Sequence, residues 1–175
     1  MLAAMSPTTL PVFFRRLTTA LLLCLLAACA AQPFVPGKST RDEVLRAWGV
    51  PAMRWAEPDG GERLAYPMGP MGYDTYMVTL GPEGKVRRVA NVLVEEEFAQ
   101  VRAGESKEDI LRRFGPPFWV ETYPQRHELV WEWRYCDVWT YPARFDVLFD
   151  TTTGLVRSTL TQREGLGWRR DFCSR

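Results

Sequence analysis

The sequence predicts an α+β protein built as two tandem modules, each with short helices packed on an antiparallel β-sheet. Three observations carry that prediction. One phrase occurs twice, as Gly37-Lys-Ser-Thr-Arg-Asp-Glu-Val-Leu-Arg-Ala-Trp-Gly-Val-Pro51 and as Gly104-Glu-Ser-Lys-Glu-Asp-Ile-Leu-Arg-Arg-Phe-Gly-Pro-Pro117. After each copy come short alternating segments separated by turn residues. The end of each copy also matches: Leu80-x-x-x-Gly84-x-Val86-Arg87 against Phe149-x-x-x-x-Gly154-x-Val156-Arg157, with one residue inserted. A repeat says more about architecture than any single motif.

The helices come first. Thr40 and Ser106 stand at N-cap positions, with Glu43 and Asp109 three residues on, which is the spacing of a capping box. Val44, Leu45 and Trp48 in one copy, and Ile110, Leu111 and Phe114 in the other, give each short helix one apolar stripe. Gly49 and Gly115 suit the position after the helix, where φ turns positive, and Pro51 or Pro116-Pro117 prevents continuation. A further short helix over Glu95 to Val101 leads into the second copy, with Phe98 and Val101 inward. The first copy lacks one.

The strands follow in order. In the first copy they run Met53 to Ala56, Arg63 to Tyr66, Tyr76 to Leu80 and Lys85 to Leu93. Glu57-Pro58-Asp59-Gly60-Gly61 and Gly81-Pro82-Glu83-Gly84 supply turns. Tyr76, Val78 and Leu80 share one face. In the second copy the strands run Phe118 to Tyr123, Leu129 to Tyr135, Arg144 to Phe149 and Leu155 to Thr161. Leu129, Trp131, Trp133 and Tyr135 share a face, and Phe145, Val147 and Phe149 point inward. Modules of about 60 residues are marginal alone, so the two are expected to share core.

The chain begins with a segment that is not fold. Arg15-Arg16 precede an apolar run from Leu17 to Ala28, whose 12 residues suit a signal peptide and are too few to span a bilayer. The run ends Leu26-Ala27-Ala28-Cys29, which resembles the lipobox of bacterial lipoproteins. That resemblance implies cleavage before Cys29, lipid on its thiol and amino group, and a stable membrane anchor. Ala30, where such lipoproteins carry Asp for inner-membrane retention, favours the outer membrane. An ordinary secretory signal with an incidental cysteine is the alternative. The expected organisation is signal peptide 1–28, tether 29–36, first module 37–94, second module 95–162 and C-terminal tail 163–175.

Arg15 and Arg16 are the only charges before Cys29, so a chain of 22 basic and 21 acidic residues matures to a net charge near −1. That balance gives no nucleic-acid footprint and no polybasic membrane patch. Of four cysteines, Cys24 leaves with the signal and Cys29 takes lipid. Cys136 and Cys173 remain as an even pair in an oxidising compartment, which points to a disulfide, two free thiols being the other possibility. Alternation turns Cys136 away from Trp131, Trp133 and Tyr135. A disulfide there would pin the tail across the sheet's other face, with Trp168 and Phe172 covering apolar surface.

The second copy reads Phe98-x-x-Val101-x-x-Gly104-x-Ser106-Lys107-x-x-Ile110-x-x-x-Phe114-Gly115-x-Pro117, then Trp131-x-Trp133, then Phe145 to Gly154. It resembles the BamE family (SmpA/OmlA lipoproteins), in which a helical pair packs on a three-stranded antiparallel sheet. The resemblance implies a periplasm-facing scaffold lipoprotein at the outer membrane, accessory to outer-membrane protein assembly, with envelope proteins such as assembly subunits as partners. The short polar-aromatic partner-binding loop of that family is absent here. Tandem copies also resemble the β-lactamase-inhibitory proteins, which implies an inhibitor or sensor that grips a periplasmic enzyme on its sheet face.

Catalytic chemistry finds little to stand on. His127 is the single histidine and falls in a turn beside Arg126, so triads and Cys-His pairs have one possible base. Metal-ligand spacing is lacking, Glu95-Glu96-Glu97 suits a helix start, and the glycines punctuate turns. The expectation is a protein that is not an enzyme and takes no cofactor or metal. Trp131, Trp133, Phe114 and Tyr135 are expected in the core. Trp119, Tyr123, Trp139 and Tyr141, at strand ends and in a connection, are the candidate binding rim.

Overall fold

The structure is a computed structural model that describes residues 34–69, 72–165 and 173. The chain divides into two units, Met1–Pro33 and Phe34–Arg175, and both modules lie in the second. Cys29 and its lipobox, and the tail residues Trp168 and Phe172, fall outside the described residues.

Each module is a helix followed by a four-stranded antiparallel meander. The first comprises α1 (Arg41–Trp48), β1 (Met53–Ala56), β2 (Glu62–Met68), β3 (Asp74–Leu80) and β4 (Val86–Asn91). The second comprises α2 (Glu95–Phe98), α3 (Lys107–Phe114), β5 (Trp119–Tyr123), β6 (Glu128–Cys136), β7 (Pro142–Asp150) and β8 (Val156–Arg163). Sheet 1 has the order β1-β2-β3-β4, and sheet 2 the order β5-β6-β7-β8. The three-stranded sheet of the resembled family is therefore exceeded by one strand in each module.

The repeat extends to detail. Thr40 and Ser106 both close complete capping boxes, with Glu43 and Asp109 returning to the cap backbone. Both helices stop at a glycine with φ near +75°, Gly49 and Gly115. Each cap residue bridges to the residue before the last strand, Thr40 to Lys85 and Ser106 to Leu155. The third and fourth strands slip register at the same place, between Thr79 and Leu80 and between Leu148 and Phe149. Aligning these features pairs Met53 with Trp119, Ala65 with Glu132, Thr75 with Arg144, and Met77 with Asp146.

The core lies in two parts. One face of sheet 1 packs Leu64, Tyr66, Val78 and Leu80 under α1, where Val44 and Trp48 point down. Phe34 joins them, its ring 4.8 Å from that of Trp48. A tether running to residue 36 thus ends too late, because Phe34 is buried core. The second part joins the modules: Ala65 and Met77, from the other face of sheet 1, cluster with Phe98, Ile110, Phe114, Trp133, Phe145 and Phe149. The expectation of shared core is met, and the layers run helix, sheet, helix, sheet. Phe98 stacks on Phe145 at 4.0 Å, and Phe114 meets the same ring edge-on at 5.4 Å. Phe114, Trp133 and Tyr135 are buried as expected, while Trp131 is half-buried at the margin.

Candidate interaction surface

Alternation along four strands decides which side chains meet on the outer face of sheet 2, away from α3. Register places Trp119, Glu132, Asp146 and Leu160 in one row. Glu121, Val130, Leu148 and Ser158 form the next, and Tyr123 lies opposite Glu128 at the far end. Trp119 is 58% exposed and Leu160 51%, while Val130 and Leu148 are half-buried. The result is a mixed face, with exposed Trp119 and Leu160 at its margins, Glu132 and Asp146 between them, and an edge strand, β5, whose five residues are all exposed.

One end of the face is ionic. Arg134 is buried, with Nε donating to Glu164 Oε1 at 2.8 Å and Nη2 to Glu164 Oε2 and to the Tyr73 hydroxyl, each at 2.7 Å. Its guanidinium also lies 4.7 Å from the Tyr73 ring centre and 5.2 Å from that of Phe118. Tyr73 belongs to the β2–β3 connection, so this contact ties sheet 1 to sheet 2; burial pushes its phenol pKa up. Arg144 donates to both Glu164 and Glu132, each at 3.2 Å. A cleft of about 270 Å³ opens beside the tie, lined by Pro67, Gly72, Thr75, Pro117, Phe118 and Trp133.

Asp146 is different. It is 7% exposed, and its Oδ1 has no hydrogen-bond partner among the described residues. Burial, then the neighbouring Glu132 carboxylate, pushes its pKa up to about 6, with Arg144 opposing. A buried carboxyl with an idle oxygen is costly, and such groups mark ligand sites or strain.

The four rim aromatics do not converge. Trp119 and Tyr123 share the outer face but lie four residues apart at opposite ends of β5. Trp139 and Tyr141 lie instead in the β6–β7 hairpin, where Asp137 Oδ1 accepts from both their backbone N–H groups and Thr140 takes φ +61°. Trp139 is 69% exposed, at a cleft of about 230 Å³ that it shares with Glu95, Tyr135 and Arg163. Tyr141 is half-buried under the Arg163 guanidinium, 5.1 Å away. At the same cleft, burial and then Glu95 push the Tyr135 pKa up to about 12.

The Cys136–Cys173 disulfide forms, with Cα atoms 5.6 Å apart. Cys136 lies opposite Pro142 on the outer face, as alternation requires. His127 occupies a left-handed turn position, its carbonyl accepting from Thr151 N–H and Arg157 Nη2. Among the described residues, no group of three or more His, Cys, Asp or Glu is disposed to hold a metal ion. No helix among them is long and apolar enough to cross a membrane, a statement about helices alone.

Sequence reasoning missed Val130, Leu148, Leu160 and the whole ionic end. The apolar three could have been found as hydrophobic residues at outward positions of strands whose inward positions are already filled.

No family model matches the chain, and no curated protein matches it. Among solved structures, the chain is similar to a DUF4309 family protein (YjgB) from Bacillus subtilis, at 17% identity over 77% of this chain and 84% of that one, with a TM-score of 0.30. A provisionally named beta-lactamase inhibitor protein from Streptococcus mutans shares 12% identity over 89% and 98%, also at 0.30. An extracellular protein containing a SCP domain, from Bacillus anthracis, shares 13% over 74% and 44%, at 0.28. Likeness at this level speaks to neither partner nor activity.

Proposed function

We propose that this chain is a scaffold of the bacterial envelope: a lipoprotein anchored at the outer membrane through Cys29, facing the periplasm, that binds protein through the outer face of sheet 2. The observation that carries the reading is the exposure of Trp119 and Leu160 on this face, on either side of half-buried Val130 and Leu148. Large apolar side chains exposed among polar ones mark interaction sites. The lipobox and the disulfide support an exported protein, and the BamE-like phrase supports service to outer-membrane assembly. The aromatic content of the face also favours a second reading, an inhibitor or sensor of a periplasmic enzyme.

A photoreactive residue at Trp119 in the lipidated chain tests the surface directly. Adducts with β-barrel assembly subunits are expected, and a single soluble enzyme would favour the second reading. Adducts from Arg54 on sheet 1 but none from Trp119 would remove this face from the proposal. Cys29→Ser should abolish lipid labelling and release the protein from the membrane; unchanged fractionation would sink the anchor.

A further inference from the structure

Strand β8 leaves one side of its backbone unpaired. The Glu164 N–H donates to the Pro142 carbonyl at 2.9 Å, which fixes the phase of the β7–β8 ladder. Opposed residues of an antiparallel pair alternate between exchanging hydrogen bonds and exchanging none. Gln162, Leu160 and Ser158 therefore bond to Arg144, Asp146 and Leu148 of β7. Thr159, Thr161 and Arg163 point their N–H and C=O groups off the edge, where no strand among the described residues pairs with them.

The same three residues turn their side chains to the helix side of the sheet, level with Val147, Phe145 and Ala143. All three are exposed, because α2 stands beside β8 without covering it. A cleft of about 380 Å³ lies between them, lined by Glu95, Phe98, Ala99, Phe145, Thr159 and Thr161. The stacked rings of Phe98 and Phe145 form its floor. Glu95 and Thr161 also line the smaller cleft beside Trp139, so the two join into a groove that follows β8 to the β6–β7 hairpin. Sheet 1 fills the equivalent position: Val89 stands on β4 where Thr159 stands on β8, and it packs against the core under α1.

A free strand edge above a groove suits an extended chain, whose backbone bonds to the edge while alternate side chains enter the groove. We propose that β8 takes up an extended segment of a partner protein as a further strand of sheet 2. Its groove-facing residues are apolar over the Phe98–Phe145 floor, with a lysine or arginine among them that meets Glu95. Thr159 to Arg163 spans roughly 14 Å at about 3.4 Å per residue, so a segment of about seven residues covers the edge.

Charge and pattern select this occupant. Glu95 is exposed where the two clefts join, and among the described residues its carboxylate accepts only from the Tyr135 hydroxyl, at 3.4 Å. A cation there gains a charge-assisted hydrogen bond. A second copy of β8 fits less well, because its own groove-facing residues are Thr159, Thr161 and Arg163, which leave the aromatic floor uncovered. This site lies on the edge and helix side of sheet 2, apart from the outer face that carries Trp119.

A library of seven-residue peptides with blocked ends, apolar at alternate positions with one lysine among them, is screened against the oxidised, lipidated protein in detergent. Binders are expected. Thr161→Pro should weaken them by at least about tenfold, since it removes an outward donor and leaves the β7 ladder intact. Should that variant not fold, methylating the peptide's own backbone nitrogens decides the same point. Methyl groups at groove-facing positions should abolish binding, and those at the intervening positions should be tolerated. Glu95→Lys should weaken binding about tenfold, and a glutamate in place of the peptide lysine should restore it. No binder, or binders indifferent both to Thr161→Pro and to the position of the methyl groups, overturns the proposal. Binders lost with Trp119→Asp but kept with Thr161→Pro sit on the outer face, which removes the edge site and leaves the proposed function standing. A wild-type dimer that Thr161→Pro dissociates, with no peptide bound, gives the edge to a second copy and likewise overturns the proposal.

Discussion

Sheet 1 sets Ala65 beside Met77 where sheet 2 sets Glu132 beside Asp146. Both pairs occupy the same row of the same four-stranded plan, behind the same capped helix. The first pair is covered by the end of α3 and belongs to the core that joins the modules. The second faces outward and carries charge. Sheet 1 therefore buries apolar side chains on both faces and sheet 2 on its helix side, with a mixed apolar and ionic face beyond. In stacked repeats, the unit at an end keeps the shared fold and changes the residues that would have met a neighbour. Position in the stack, rather than fold, sets the chemistry of this row.

The largest test of the comparison concerns the shared core. Phe114 is fully buried and meets Phe98, Trp133 and Phe145, whereas its counterpart Trp48 is half-buried against Phe34, Tyr66 and Tyr76 of the first module. Phe114→Ala should cost about 3–5 kcal/mol and Trp48→Ala roughly half as much, by urea denaturation. Equal losses would contradict a core that spans both modules.

Asp146 gives the next effect. Its carboxyl holds a proton in the folded state up to about pH 6, while its ordinary value is 3.8. The unfolded chain releases that proton first, so stability falls as pH rises between those values and stays lower above them. The loss amounts to at most about 3 kcal/mol. Asp146→Asn should flatten the difference in urea midpoint between pH 5 and pH 8, and an unchanged slope would refute the assignment. Sheet 1, with Met77 in this place, supplies no such titration.

Glycine at the helix ends refines the contrast. Gly49 and Gly115 adopt nearly the same backbone, φ +78° and ψ −154° against φ +75° and ψ −167°, a region left almost wholly to glycine. Alanine at either should cost roughly 1–3 kcal/mol. At Gly115 the new methyl also meets Ala65 and Thr75, which adds about 1 kcal/mol. Thermal melts that rank Gly49→Ala as the worse substitution would reverse the picture. The smallest effect should be equal on both sides: Thr40→Ala and Ser106→Ala each remove a capping box and cost about 1 kcal/mol.

How much of this was legible follows from the range of the interactions. Caps, terminal glycines and turns act within a few residues, and the sequence shows them directly at Thr40, Glu43, Gly49 and their counterparts. Alternation also gave the inward faces of β6 and β7 and the outward Cys136. It failed for β3, where Tyr76, Val78 and Leu80 explain one face, while Thr75 and Met77 are buried by a helix from the other module. Phe34 was missed because it packs on Trp48 across a loop with no periodicity. Arg134, Arg144, Asp146 and Glu164 read as solvated charges until strand register brings them together. Of the rim aromatics, Trp119, Tyr123 and Trp139 are exposed and Tyr141 is half-buried, but one face and one hairpin tip cannot be told apart from spacing alone.

The disulfide also sets how the second module bears load. β8 is an edge strand that pairs in the sheet with β7 alone, and all but its first residue are exposed. Pulled from the C-terminus without the bond, it would unzip one backbone pair at a time. Cys173 instead transmits the pull to Cys136, at the end of the interior strand β6, so β7 and β8 sit inside a covalent ring of sequence separation 37 and bypass the tension. The oxidised chain should then extend roughly 130 Å less than the reduced one, at about 3.5 Å per residue. Its first rupture should come from sheet 1 or from β6 rather than from the exposed edge.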